Sequence, residues 1–315
     1  MANSTEDDDG PALGRRQFIR SIFGLGTVSD SANEAASAQT EARSEGKGKF
    51  FWADLKTGQV GFPCGHSVPD GMAGSIMKLV SAAALTDAHI LSPDHKFECR
   101  GTITVNHQKF SCPAPHGLID LQHAIGLSCN VYFAHASQQL SPRVFLDYAA
   151  KFGLNQSVAK FASGKFPEKP ARNSSENYVL GLSEDLKPSA LQILRMTALI
   201  ANKGHIPYLH SAESPDPEGK PFELKLEERS WHVLQQGMQI AARQGTGRKL
   251  DPENKMHIAV KTGTTNHGSS FQSWISGYFP WDAPRYAFVL RSFAGTSQEQ
   301  AVPQARTFLF ASEWP

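Results

Sequence analysis

Segments with the residue pattern of strands lie at the two ends of the folded part of this chain, and helical periodicity fills the interval between them. Phe50 to Asp54 and Gln59 to Phe62 read as two short strands, with Lys56-Thr57-Gly58 as the turn of a hairpin. His257 to Val260, Ser273 to Phe279 and Tyr286 to Phe293 read as three more, separated by turns at Asn266 to Ser270 and Pro280 to Pro284. Apolar residues recur at helical spacing at Ile76, Leu79, Val80 and Ala83. Asp120 is placed to cap a helix running to about Leu127, and another begins after Asn130 with Val131, Phe133 and Ala134. Ser141-Pro142 opens a helix that Gly153 closes. Leu186 to Ala201, Glu227 to Arg243 and Gln304 to Trp314 complete the helical set. Strands at both ends with helices between them predict an α+β fold: a five-stranded antiparallel sheet flanked by helices, with a helical insertion.

No linker divides residues 48–315, which are read as one domain. Residues 1–47 differ, being rich in Ser, Ala, Glu and Gly and poor in aromatics, and such a segment buries too little apolar surface to repay its ordering entropy. Within it Arg15-Arg16-Gln17-Phe18-Ile19-Arg20 resembles a twin-arginine export signal, although Gly14 stands where Ser or Thr is usual. An apolar stretch from Ile22 to Val28 and a small-x-small site at Ala36-Ser37-Ala38 follow. The expectation is export to the periplasm or the outer face of the cytoplasmic membrane; the alternative is a disordered tail with a chance arginine pair. No apolar run approaches the ~18–20 residues of a membrane-spanning helix. A formal net charge of +1 gives no reason to expect nucleic acid as a partner.

Three short motifs carry the chemistry. Ser75-Ile76-Met77-Lys78 sits at a helix start, where residues i and i+3 share a face, so a hydroxyl and an amine can meet. A hydroxyl is a poor nucleophile until a base takes its proton, and a lysine is that base only when desolvation or a second cation keeps it neutral. Ser128-Cys129-Asn130 joins two helical stretches and supplies a hydroxyl that can relay a proton and an amide that can hold a substrate backbone. Lys261-Thr262-Gly263-Thr264 is read at the end of the strand from His257; Lys261 and the threonine hydroxyls can hold a carboxylate, while Gly263 lets a substrate lie against the strand. Each motif alone is weak. Lys-Thr-Gly also occurs at residues 56–58, where it reads as turn chemistry.

Together and in this order, the three motifs resemble the penicillin-binding protein and serine β-lactamase superfamily, whose S-x-x-K, S-x-N and K-T-G elements follow the same sequence. Phe97-Glu98-Cys99-Arg100-Gly101, Cys112, His116-Gly117 and Leu127 to Phe133 are similar to class B and related transpeptidases, as is Thr262 to Asn266 with Trp274 to Pro280. The resemblance spans residues 49–310 and implies an all-helical subdomain beside the sheet. It implies a D,D-transpeptidase acting on peptidoglycan stem peptides and β-lactams, with other cell-wall synthesis proteins as partners. Ser75 is then the nucleophile, Lys78 its base, and Ser128 and Lys261 the proton relay; Asn130, Thr262, Gly263 and Thr264 hold substrate. Met72-Ala73-Gly74, Val179 to Ser183 and Lys187 before Pro188 depart from the family pattern. A class D-like β-lactamase, a D,D-carboxypeptidase and a β-lactam-sensing module are the alternatives. No Tyr-Gly-Asn motif and no Glu-x-x-x-Asn between Asn130 and Lys261 favours the β-lactamases.

The four cysteines are Cys64, Cys99, Cys112 and Cys129. None forms a C-x-x-C pair, so the spacing points to no metal, and no organic cofactor is expected. Cys99 and Cys112 flank a turn-rich stretch with Gly101 and Asn106 that reads either as a stapled hairpin or as two free thiols. In an exported chain the Cys99–Cys112 disulfide is the expectation.

Overall fold

The computed structural model describes residues 48–61, 68–170, 175–211, 219–267, 270–311 and 314. The expected export segment and Cys64 lie outside them.

Tyr286–Ser292 is buried along its whole length, which explains its unbroken apolar run: a strand covered on both faces has no polar side to present. The residues still alternate. Ala287 and Val289 face a large core shared with the helices, while Phe288 and Leu290 face a smaller one under the C-terminal helix. Beside this strand lie the two segments that the chain ends bring together. In chain order the strands are β1 (Lys49–Asp54), β2 (Gln59–Gly61), β3 (Phe97–Cys99), β4 (Thr102–Val105), β5 (Gln108–Ser111), β6 (Gly117–Ile119), β7 (His205–Ile206), β8 (His210–Ser211), β9 (Phe222–Glu223), β10 (Ala259–His267), β11 (Ser270–Phe279) and β12 (Tyr286–Ser292). The main sheet has the order β10-β11-β12-β1-β2-β8. Its first five strands are antiparallel as expected. The sixth, β8, corrects the expected count: two residues from the helical region pair in parallel with Gln59 and Val60, too short a segment to show a period.

The helices are α1 (Lys78–Asp87), α2 (Leu121–Gly126), α3 (Asn130–Ala136), α4 (Pro142–Lys151), α5 (Ser175–Leu180), α6 (Ala190–Ala201), α7 (Glu228–Arg243) and α8 (Val302–Ala311). A 3₁₀ turn, Gly74–Met77, leads into α1. Local chemistry sets several starts. Asp120 accepts a hydrogen bond from the His123 N–H and Ser141 from that of Val144. Helix α6 begins four residues later than its apolar run suggests. Pro188 holds Lys187 extended, and Ser189 with Gln192 then forms a capping box. Helices α1 and α6 are buried nearly all round, between the sheet and the outer helices.

Strand β10 is longer than expected. The sequence suggests a stop near Val260, yet the strand runs through the Lys-Thr-Gly motif to His267, paired with β11 throughout. It forms the free edge of the sheet beside the start of α1. The other Lys-Thr-Gly, at residues 56–58, lies in the β1–β2 turn, where Asp54 Oδ1 accepts the Lys56 and Thr57 N–H groups.

Trp274 ties sheet to helices. Its side chain is fully buried, and its indole N–H donates to the Met72 carbonyl at 3.0 Å, just before the 3₁₀ turn that carries Ser75. Trp274→Ala should lower stability by about 3–5 kcal/mol, measured as a fall in urea midpoint at unchanged slope.

Candidate active site

Ser75 lies on the 3₁₀ turn, half-buried, and among the described residues its hydroxyl makes no hydrogen bond. Two close approaches press this turn against β10. Gly74 has φ +55°, and a Cβ there would come within 2.8 Å of the Thr264 carbonyl. A Cβ on Gly263 would stand 2.2 Å from the Ala73 carbonyl. Glycine is therefore required on both sides of the seam, which accounts for Gly74 within the unusual Met72-Ala73-Gly74.

One turn after Ser75, Lys78 is fully buried. Its Nζ donates to the Ser128 carbonyl at 2.8 Å and to Asn130 Oδ1 at 2.6 Å, and lies 5.5 Å from the centre of the Phe133 ring. Asn130 Nδ2 donates to the Ser111 carbonyl at 2.8 Å. Ser128 has φ +56°, a left-handed conformation that turns the chain between α2 and α3. From the sheet side, fully buried Lys261 donates to Ser128 Oγ at 2.8 Å and to the Thr262 carbonyl at 2.9 Å. Ser128 thus receives one lysine at its carbonyl and another at its hydroxyl.

Burial governs both amines. Desolvation pushes Lys78 down to about 8, against a smaller opposing effect of Cys129 and Cys112. Lys261 lies well below the ordinary lysine range, through burial first and the nearby Lys78 second. Two ammonium groups cannot readily be kept charged so close together away from water, so a neutral amine is available to take a proton.

The three motifs, from positions 75, 128 and 261, therefore converge on one seam between sheet and helices. The family model of the penicillin-binding protein transpeptidase domain matches residues 69–307. The chain belongs to the penicillin-binding protein transpeptidase family. It is 27% identical over 243 residues to penicillin-binding protein PbpB of Mycolicibacterium smegmatis, covering 68% of this chain and 37% of that protein. The chain thus spans little more than a third of the length of that relative. The fold is similar to the transpeptidase domain of Burkholderia pseudomallei penicillin-binding protein 3, at 18% identity, TM-score 0.71 and 96% coverage of both chains. It is similar also to a chain of a peptidoglycan synthase complex, at 20% identity and TM-score 0.75, covering 89% of this chain and 58% of that one.

Two residues that sequence motifs did not single out bond to the threonines of the Lys261 motif. Thr262 Oγ1 donates to Thr246 Oγ1 at 2.6 Å, and Thr264 Oγ1 accepts the Ser297 N–H at 3.0 Å. Thr246 follows the end of α7, and Ser297 opens a short π-helical turn that runs into α8, so only the fold brings them to β10. The Cys99–Cys112 disulfide is not formed. Both are free thiols with Sγ atoms 3.8 Å apart, far beyond the ~2.05 Å of a bond.

If Lys78 acts as base, acylation requires its neutral form, so the rate should rise with pH and level off above about 8. An unperturbed lysine would keep it rising toward about 10.4. Stopped-flow acylation by a fluorescent penicillin from about pH 6 to about pH 11, which brackets both values, measures this.

Proposed function

We propose that the chain is a serine D,D-transpeptidase acting on peptidoglycan stem peptides, with Ser75 as the acylated residue. The observation that carries the reading is the placement of Ser128 between two fully buried lysines, Lys78 and Lys261, beside Ser75. Ser75 Oγ attacks the carbonyl of the penultimate D-alanine while Lys78 Nζ takes its proton. The tetrahedral oxyanion is held by the backbone N–H groups of Ser75 and Thr264, each donor typically contributing ~2.7–4 kcal/mol to the transition state. Collapse breaks the peptide bond, and the proton that Lys78 took from Ser75 passes through Ser128 Oγ to the departing amine of the terminal D-alanine, with Lys261 Nζ, hydrogen-bonded to Ser128 Oγ, assisting the transfer. Thr262 and Thr264 receive the terminal carboxylate, and Asn130 holds the substrate amide. An amine from a neighbouring wall strand then attacks the Ser75 ester and releases the acyl group.

A β-lactam enters the same path, but its leaving group stays attached and blocks the acceptor amine. Fast release then needs a water-activating base. Lys78 is held by Ser128 and Asn130, and no class A carboxylate pattern occurs in the sequence. This favours a penicillin-binding enzyme over a β-lactamase.

Wild-type protein should gain one penicilloyl group on Ser75 that persists for many minutes, and Ser75→Ala should gain none while keeping the circular dichroism of the wild type. Intact-mass spectrometry reads both. An adduct on Ser75→Ala would remove Ser75 from its role. Multi-turnover hydrolysis of a chromogenic cephalosporin at ~1 s⁻¹ or faster would make the chain a β-lactamase.

A further inference from the structure

A cavity of about 500 Å³ lies between the end of α7, the segment that follows it and α8. None of Ser75, Lys78, Ser128 and Lys261 lines it. Four cations do: Arg243 is the last residue of α7, Arg248 and Lys249 follow it, and Arg306 comes from α8. Ala242 and Pro252 supply the apolar part of the wall, and Asp251 is its one acid. That carboxylate is buried and already engaged. Its Oδ1 accepts the Lys255 N–H at 2.9 Å and its Oδ2 the Met256 N–H at 2.8 Å. Glu253, two residues on, is paired with Lys255 Nζ at 2.6 Å. The cavity therefore carries a local excess of positive charge on a chain whose formal net charge is +1.

The partners of these cations set them apart. Arg306 is fixed: its Nη1 donates to the Leu250 carbonyl at 2.6 Å, and its guanidinium lies 4.8 Å from the centre of the Phe310 ring. Arg243, Arg248 and Lys249 are exposed and, among the described residues, make no hydrogen bond, ion pair or ring contact. Every other described arginine has such a partner. The exposed ones have acids: Arg100 meets Glu98, Arg143 meets Asp147 and Arg229 meets Glu227. A cation at a helix C-terminus is favourable by itself, which accounts for Arg243 alone. It does not account for three more cations converging there without a counter-charge. A concave wall of one sign concentrates the field and draws an ion of the other sign.

We propose that the cavity bounded by Arg243, Arg248, Lys249 and Arg306 binds a phosphate-bearing ligand, a diphosphate or a phosphodiester group. A carboxylate has two oxygens in one plane, and a single guanidinium fork satisfies both. A phosphoryl group presents oxygens in several directions and accepts forks from more than one side. Here the cations come from three places: the end of α7, the segment after it, and α8. The volume exceeds the needs of one small anion and suits two linked phosphoryl groups or a headgroup. Arg248 stands two residues after Thr246, whose Oγ1 accepts from Thr262 Oγ1 at 2.6 Å. The segment that walls the cavity thus also reaches the Lys261 motif, and a bound phosphate would tie that segment to α8.

Isothermal titration calorimetry of the full chain with inorganic pyrophosphate at low salt tests this. One saturable site with a Kd below about 1 mM is expected, weakening as salt is added. Arg243→Gln combined with Arg248→Gln should weaken it by at least about tenfold. Both side chains are exposed and without partners, so the double variant should unfold at the wild-type temperature when no ligand is present. Pyrophosphate should raise the unfolding temperature of the wild type and not of the double variant. Arg248→Gln combined with Lys249→Gln is a second pair that should lose binding in the same way. Cosedimentation with vesicles of phosphatidylglycerol and phosphatidylcholine separates the sources. Wild-type protein retained on them and released by pyrophosphate makes the ligand a lipid headgroup; pyrophosphate binding without retention makes it a soluble diphosphate. Three outcomes would overturn the site: no saturable binding of either probe, full binding by both double variants, or equal affinity for citrate. Binding is read without any acyl transfer, so failure of the transpeptidase reading leaves this test intact.

Discussion

Two lysine amines buried on either side of Ser128 are the constraint around which the rest of the site is arranged. An unpaired ammonium is costly in a protein interior, and a second one nearby adds repulsion. The structure answers with acceptors at each Nζ. Lys78 has the Ser128 carbonyl and Asn130 Oδ1, and Lys261 has Ser128 Oγ and the Thr262 carbonyl. What these acceptors do not offset appears as lowered proton affinity, the property a general base needs. The dry environment follows from where the lysines stand: Lys78 opens a helix buried nearly all round, and Lys261 lies within a fully paired strand.

That arrangement fixes what the architecture must do. Lys78 comes from the helical body and Lys261 from the sheet, so the site exists only while the two layers keep their alignment. Gly74 and Gly263 let backbones touch across the seam, and the Trp274 indole fastens the chain before Ser75 to β11. Thr246, just past α7, and Ser297, at the start of the helical turn before α8, hold Thr262 and Thr264 of β10.

The third contributor, the Ser128 loop, has little regular structure of its own. Its left-handed turn at Ser128 is held by the lysines on one side and by Asn130 to the β4–β5 hairpin on the other. Asn106 and His107, both at positive φ, close that hairpin as a two-residue turn.

The sequence by itself determined which residues are candidates for the chemistry, and most of the elements. Ser75 and Lys78 lie three apart, so any helix there puts them on one face. The apolar run of β12 and the caps at Asp120 and Ser141 are local signals, and the structure places those elements within a residue or two of expectation. Tertiary structure decided what depends on long-range approach. Strand β10 continues past Val260 because β11 pairs with it and the Ala73 carbonyl needs Gly263 opposite. Strand β8 exists only because β2 offers an edge. The gathering of Cys99, Cys112 and Cys129 around His116, in place of a two-cysteine staple, comes from four separate elements. Periodicity and caps report neighbours within a turn of helix or a step of strand. Distances between residues a dozen or more positions apart are set by how the layers pack.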